Sequence, residues 1–124
     1  MTLEELRGLL EGGDVLLLDV RTPGEYEGVV GSHCDPRQGH IPGAANLPLE
    51  RLLECETVED VRGLVGVPPG PELVAYCHVG NRSGYAAHVL EQAGYRARNY
   101  VGSWHEWSGV MPELDEPRAR PESG

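Results

Sequence analysis

Residues 72–87, ELVAYCHVGNRSGYAA, constrain the fold of this 124-residue chain more than any other stretch. An apolar run, Leu73-Val74-Ala75-Tyr76, ends on Cys77. Pro69-Gly70-Pro71 precedes it and a Gly-bearing loop follows, the bounding signals of a buried strand. A helical pattern begins near Arg82, and Ala86, Val89, Leu90 and Ala93 recur at the spacing of one apolar helix face. Cys77 therefore stands where a strand hands over to a helix, at the carboxyl end of a sheet, where α/β folds place ligands.

The chemistry follows from that position. Backbone N–H groups of a tight loop converge into an anion-binding nest, and the first N–H groups of a helix add partial positive charge. A thiol at the centre of such a nest ionises more easily than a free cysteine. Gly80 permits the turn, and Arg82 adds a fixed positive charge at the helix start. His78, Val79 and Asn81 complete the expected loop. A buried, inert cysteine closing a strand is the plain alternative.

Further motifs stand in order along the chain. Leu18-Asp19-Val20-Arg21, Glu25-Tyr26 and Gly39-His40-Ile41-Pro42-Gly43-Ala44-Ala45-Asn46 precede the loop, and Tyr100-Val101-Gly102-Ser103-Trp104-His105-Glu106-Trp107 follows it. Together with the Cys77 loop they resemble the rhodanese domain, a family that moves sulfur through a cysteine persulfide. The resemblance runs from about residue 3 to residue 110 and is strongest to the catalytic second half of two-domain thiosulfate and mercaptopyruvate sulfurtransferases. It implies a three-layer α/β domain with a mainly parallel sheet flanked by helices, and Cys77 as the nucleophile that carries the sulfur. It also implies supporting roles under the loop for Asp19 and Arg21, and a hydrogen-bonding structural role for His40. From the residues alone, Asp19 and Arg21 read equally well as a surface ion pair.

Loop length separates two chemistries within this fold. Sulfurtransferases resemble Cys-x4-Arg, sized for one sulfur atom, whereas related phosphatases and arsenate reductases carry one residue more to cradle a tetrahedral oxyanion. Cys77 to Arg82 is the shorter spacing. The implied reaction takes a sulfane sulfur from a small donor anion such as thiosulfate, or from a persulfide, and passes it to a thiol or to cyanide. No cofactor is implied. Two other readings stay open: a non-catalytic binding module of the same fold, and an arsenate reductase or phosphatase relative.

The sequence departs from its relatives around the substrate. Thiosulfate enzymes usually carry a basic residue after the cysteine and mercaptopyruvate enzymes a Gly-Ser pair; His78-Val79 is neither. Glu25 stands where the two-domain enzymes tend to place an arginine, and at a site mouth it would repel a dianion. Weak use of thiosulfate is the expectation. A partner domain that would close one wall is missing, so a homodimer or a larger parent protein is a further expectation.

The remaining segments carry weaker signals. Thr2 to Glu5 has a capping-box pattern opening a helix with Leu6, Leu9 and Leu10 inward. Val15 to Val20 reads as a buried parallel strand, Ala44 to Leu47 as a second, and Arg98 to Val101 as the last. Short helices are expected over 48–54 and 58–64 and around Trp104 and Trp107. Gly28 to Gly39 is a polar insert holding His33, Cys34 and Arg37. Cys34 is a candidate second sulfur carrier at the site mouth. The spacing of His33, Cys34 and His40 matches no standard zinc pattern, so no metal is expected. Residues 1–110 read as one domain, and 111–124, rich in Pro, Glu and Arg, as a mobile tail.

Composition bounds the partners. The net charge of −10 argues against nucleic acid and against an anionic membrane surface. Three cysteines without a Cys-x-x-Cys pair fit a reducing cytoplasm, and no run reaches membrane-spanning length.

Overall fold

The computed structural model describes residues 1–13 and 15–110, so the tail expected at 111–124 lies outside the described residues. Ten elements follow one another: α1 (Leu3–Gly12), β1 (Val15–Asp19), α2 (Pro23–Glu27), β2 (Ala45–Asn46), α3 (Leu49–Leu53), α4 (Val58–Val65), β3 (Glu72–Tyr76), α5 (Asn81–Gln92), β4 (Arg96–Asn99) and α6 (Ser103–Val110). The strands form one parallel sheet in the order β2-β1-β3-β4. Parallel strands need crossovers, and helices supply them on both faces.

Strand alternation divides the core in two. Leu18 of β1 and Leu73 and Ala75 of β3 face α3, α4 and α5, meeting Leu52, Val61, Ala86 and Leu90. Leu17, Val74 and Tyr76 face the other way, onto Leu6 of α1 and Trp104 and Trp107 of α6. The two clusters sandwich the sheet, which gives the three layers expected for this α/β class. Burial of both strand faces is why β1 and β3 read as unbroken apolar runs.

Local chemistry sets the helix ends. Thr2 caps α1 with a full capping box to Glu5, and Gly13 closes the helix in the left-handed region at φ 81°. Thr57 does the same for α4, closed by Gly66 at φ 89°. A third box, Thr22 with Glu25, opens α2 with Pro23 at its start. That helix is absent from the sequence reading, and it matters for the site because it fixes Glu25.

Two strands differ from expectation. β4 lies two residues earlier than the 98–101 expected, over Arg96–Asn99, with Ala97 as its buried residue. It is an edge strand, and its exposed arginines hide it from an apolar-run reading. β2 is only two residues long, paired Leu18 to Ala45 and Asp19 to Asn46.

Candidate active site: a cysteine in a cradle of N–H groups

β3 delivers Cys77 to the carboxyl end of the sheet, and α5 begins four residues later at Asn81. The sulfur is almost wholly enclosed. Gly80 N–H donates to Cys77 Sγ at 3.1 Å, Ser83 N–H at 3.4 Å, and Ser83 Oγ lies 3.3 Å away.

The orientation of the loop has a visible cause at α6. Trp104 N–H donates to Cys77 C=O at 2.9 Å, and His105 N–H to His78 C=O at 3.0 Å. In a trans peptide the carbonyl and the following N–H point opposite ways. Holding those two carbonyls against the start of α6 therefore fixes the peptide planes of His78 and Val79, and the Val79 N–H is among the groups that favour the Cys77 thiolate. Ser103 completes the clamp: its Oγ accepts Cys77 N–H at 3.1 Å and donates to Tyr100 C=O at 2.8 Å. Ser103 adopts φ 57°, uncommon for a residue with a Cβ.

Gly80 is required by geometry. Its φ is 101°, and a Cβ there would lie 2.8 Å from Val101 O. Its carbonyl accepts from Asn99 Nδ2 at 3.1 Å, which fixes the amide so that Asn99 Oδ1 faces Ser83 Oγ at 2.6 Å. Ser83 has one hydroxyl proton and two acceptors, Asn99 Oδ1 and the sulfur. The two acceptors share that proton, and the backbone N–H groups of Gly80 and Ser83 are the further donors to the thiolate.

Burial pushes the Cys77 thiol up, but hydrogen bonds from Ser83 and from the N–H groups of Ser83, Gly80 and Val79 outweigh it. The net shift is below the ordinary thiol value.

Arg82 departs from the sequence reading. The sequence makes it a fixed positive charge for the loop and makes Glu25 a repelling acid. Instead Arg82 Nη1 and Nη2 donate to Glu25 Oε1 and Oε2 at 2.9 and 3.2 Å, a fork-on-fork pair. Glu25 also accepts Thr22 N–H at 3.0 Å in the α2 capping box. Although burial pushes the Glu25 carboxyl up, Arg82 and Thr22 pull it down to about 2. The two charges compensate each other, so Glu25 is no bare anion at the mouth and Arg82 no bare cation.

Asp19 and Arg21 are both buried, which removes the surface-pair alternative. Arg21 Nη2 donates to Asp19 Oδ2 at 2.7 Å and to Gly39 C=O, and its guanidinium carbon lies 5.3 Å from the Trp104 ring centre. The pair ties β1 to the end of the 28–39 insert. His40 stacks on Tyr26 at 3.8 Å between ring centres, and its Nδ1 lies 2.8 Å from Tyr26 O.

The insert is anchored more firmly than a polar loop suggests. Arg37 Nε donates to Ser108 C=O at 3.0 Å at the end of α6, and Trp104 Nε1 donates to Arg37 C=O at 2.9 Å. Asp35 is buried and meets two imidazoles, His78 and His105. Cys34 and His33 are exposed. Ser83, Asn99, Ser103, Asp35 and His105 escaped the sequence reading as site residues. Only the Gly-Ser-Trp start of α6 offered a local signal, and that pointed to its tryptophans.

The profile of the rhodanese-like domain family matches residues 2–109. The chain belongs to that family. The rhodanese-like domain is 35% identical over 122 residues to a thiosulfate sulfurtransferase of Corynebacterium glutamicum, covering 87% of this chain and 40% of that protein. A crystal structure of a probable thiosulfate sulfurtransferase superposes with a TM-score of 0.75 at 45% identity, over 88% of this chain and 44% of that one. A human single-domain sulfurtransferase superposes with a TM-score of 0.64 at 33% identity, over 89% of this chain and 95% of that one. The rhodanese-like domain thus spans about two-fifths of the length of the bacterial enzymes it matches in sequence. Among the described residues no helix is long and apolar enough to cross a membrane.

Proposed function

We propose that this rhodanese-like domain is a sulfurtransferase whose Cys77 carries the transferred sulfur as a persulfide. The observation that supports it most is the sulfur of Cys77 at the centre of a nest donated by Gly80 and Ser83. Preorganised N–H groups stabilise an anion without reorganising during reaction, as an oxyanion hole does. The same nest suits both the resting thiolate and the persulfide anion.

The cycle has two displacements. The Cys77 thiolate attacks the outer sulfur of the donor; a new S–S bond forms on Sγ and the donor's own S–S bond breaks. With thiosulfate as donor, sulfite leaves with the electron pair. A thiolate or cyanide then attacks the outer sulfur of the persulfide, and the Cys77 thiolate departs, ready for another turn. Protons enter only where the acceptor is a neutral thiol, which loses one to solvent.

Charge around the loop favours donors less anionic than thiosulfate. Arg82 is paired with Glu25, and His78 faces Asp35. A dianion therefore meets compensated charges at the mouth, whereas a low-charge persulfide depends mainly on the N–H nest. The thiosulfate sulfurtransferases among the relatives carry the general activity to this chain as a proposal.

Thiocyanate formation from cyanide with a thiosulfate or a persulfide donor tests the reading. Wild type is expected to turn over, faster with the persulfide, and Cys77→Ser to fall to background while its circular dichroism stays native. Substantial turnover by a folded Cys77→Ser would sink the proposal.

A further inference from the structure

Asp35, His78 and His105 converge from three separate parts of the chain. Asp35 comes from the insert, His78 from the Cys77 loop and His105 from α6. His78 Nε2 lies 3.0 Å from Asp35 Oδ1, and His105 Nδ1 lies 2.8 Å from the same oxygen. One ligand atom from each residue falls within 4.8 Å of the other two. The rings sit edge to face with centres 5.6 Å apart.

We infer that these three side chains bind a divalent transition metal of the zinc class, in a site distinct from the Cys77 sulfur. Two neutral imidazole nitrogens and a carboxylate oxygen are a ligand set that zinc accepts, with a fourth position left open. With bonds of about 2.0 Å, neighbouring ligand atoms in a tetrahedral site stand roughly 3.3 Å apart. The two contacts to Asp35 are already within a few tenths of an ångström of that spacing. A small outward movement of each ring admits the ion.

Electrostatics favours the same occupant. The Asp35 side chain is only 2% exposed, and an ionised carboxylate so enclosed calls for compensation. A divalent ion bound between the three groups offsets the carboxylate charge directly, with each imidazole carrying its proton on the ring nitrogen that faces away from the ion. Access is open, because the His78 side chain is 25% exposed and that of His105 52%. The insert also holds Asp35 in place through the Arg37 contacts to α6, so the carboxylate is preorganised. This revises the expectation of no metal: the ligands are not His33, Cys34 and His40, which do not converge, but residues 27 and 43 positions apart in sequence.

A bound ion would lock His78, the neighbour of Cys77, to the insert and to α6. It would place positive charge beside a mouth where Arg82 is already neutralised by Glu25.

The test titrates the uniformly 15N-labelled full chain with Zn2+ alone at near-neutral pH and follows the histidine ring nitrogens by NMR. No activity is read, so the result stands apart from the sulfurtransferase proposal. The ring signals of His78 and His105 are expected to move together, saturating at about one equivalent, while those of His33, His40 and His88 stay in place. Asp35→Asn and, separately, His105→Gln are expected to weaken binding by more than about ten-fold. His105 is half exposed, so its variant reports on the site even should the Asp35 variant fold poorly. Three results would overturn the inference: no movement of His78 and His105 in excess Zn2+, capture of the ion by His33 and Cys34 instead, or undiminished binding by folded His105→Gln.

Discussion

Replacing Glu25 by Gln isolates the charge at the mouth of the site. Gln keeps the shape of the side chain and can still accept Thr22 N–H, so the capping box of α2 survives. What goes is the negative charge that holds Arg82 at 2.9 and 3.2 Å. Both partners face solvent in part, Arg82 with 36% and Glu25 with 18% of the side chain exposed. Screening at such a site brings a unit interaction over several ångströms down to about 1 kcal/mol. Arg82, released, offers roughly that much to an incoming anion, equivalent to about a five-fold gain in thiosulfate affinity. Steady-state kinetics with thiosulfate and with a neutral persulfide, side by side, provide the assay. The Michaelis constant for thiosulfate is expected to fall about five-fold while that for the neutral donor changes little. An unchanged thiosulfate constant, or an equal change for both donors, would refute the reasoning.

The remaining predictions concern the sulfur, the buried pair and acid. The alkylation rate of Cys77 against pH should give a midpoint below that of a free thiol, because the nest outweighs burial. A folded-state value below the unfolded one contributes stability fully above the unfolded value, about pH 8.5, and loses it as pH falls through the folded value. The stability difference between wild type and Cys77→Ser, measured by urea unfolding, should accordingly grow in favour of wild type as pH rises toward that range. Asp19→Ala leaves Arg21 buried without its carboxylate and should cost about 3–5 kcal/mol in the same experiment. For Glu25, with its carboxyl held near 2, the pair's stabilisation is present above about pH 4.3 and lost as pH falls toward 2. The gap in thermal stability between wild type and Glu25→Gln should close over that window.

Local signals made much of this molecule readable in advance. The strand ending at Cys77, the short loop and the apolar face of α5 all lie within about twenty consecutive residues, where periodicity and turn chemistry speak directly. The capping-box pattern at Thr2 announced α1, and the helix expected over 58–64 matches α4 to within a residue. The same signal at Thr22 was present, but Gly24 and a length of five residues concealed α2. With α2 unseen, the side chain of Glu25 had no direction, and its partnership with Arg82, 57 residues away, could not be read. Asp35 was hidden for the same reason: its partners lie 43 and 70 residues along the chain. Beside the Ser103 hydroxyl, the clamp on the loop uses the backbone N–H groups of Trp104 and His105, which leave no trace in residue identity. Sequence pointed to Cys77; only the packed structure shows the contacts that hold its loop.

The central claim is that sulfur resides on Cys77 during turnover, and intact-protein mass spectrometry measures it directly. The protein, freed of reductant, is treated with a persulfide or thiosulfate donor, desalted without thiols, and weighed before and after cyanide. The account predicts a gain of one sulfur atom, mapped by peptide fragmentation to Cys77, removed by cyanide, and absent from Cys77→Ser. Sulfur found on Cys34 with Cys77 unmodified, or no added sulfur under conditions where the enzyme turns over, would contradict it.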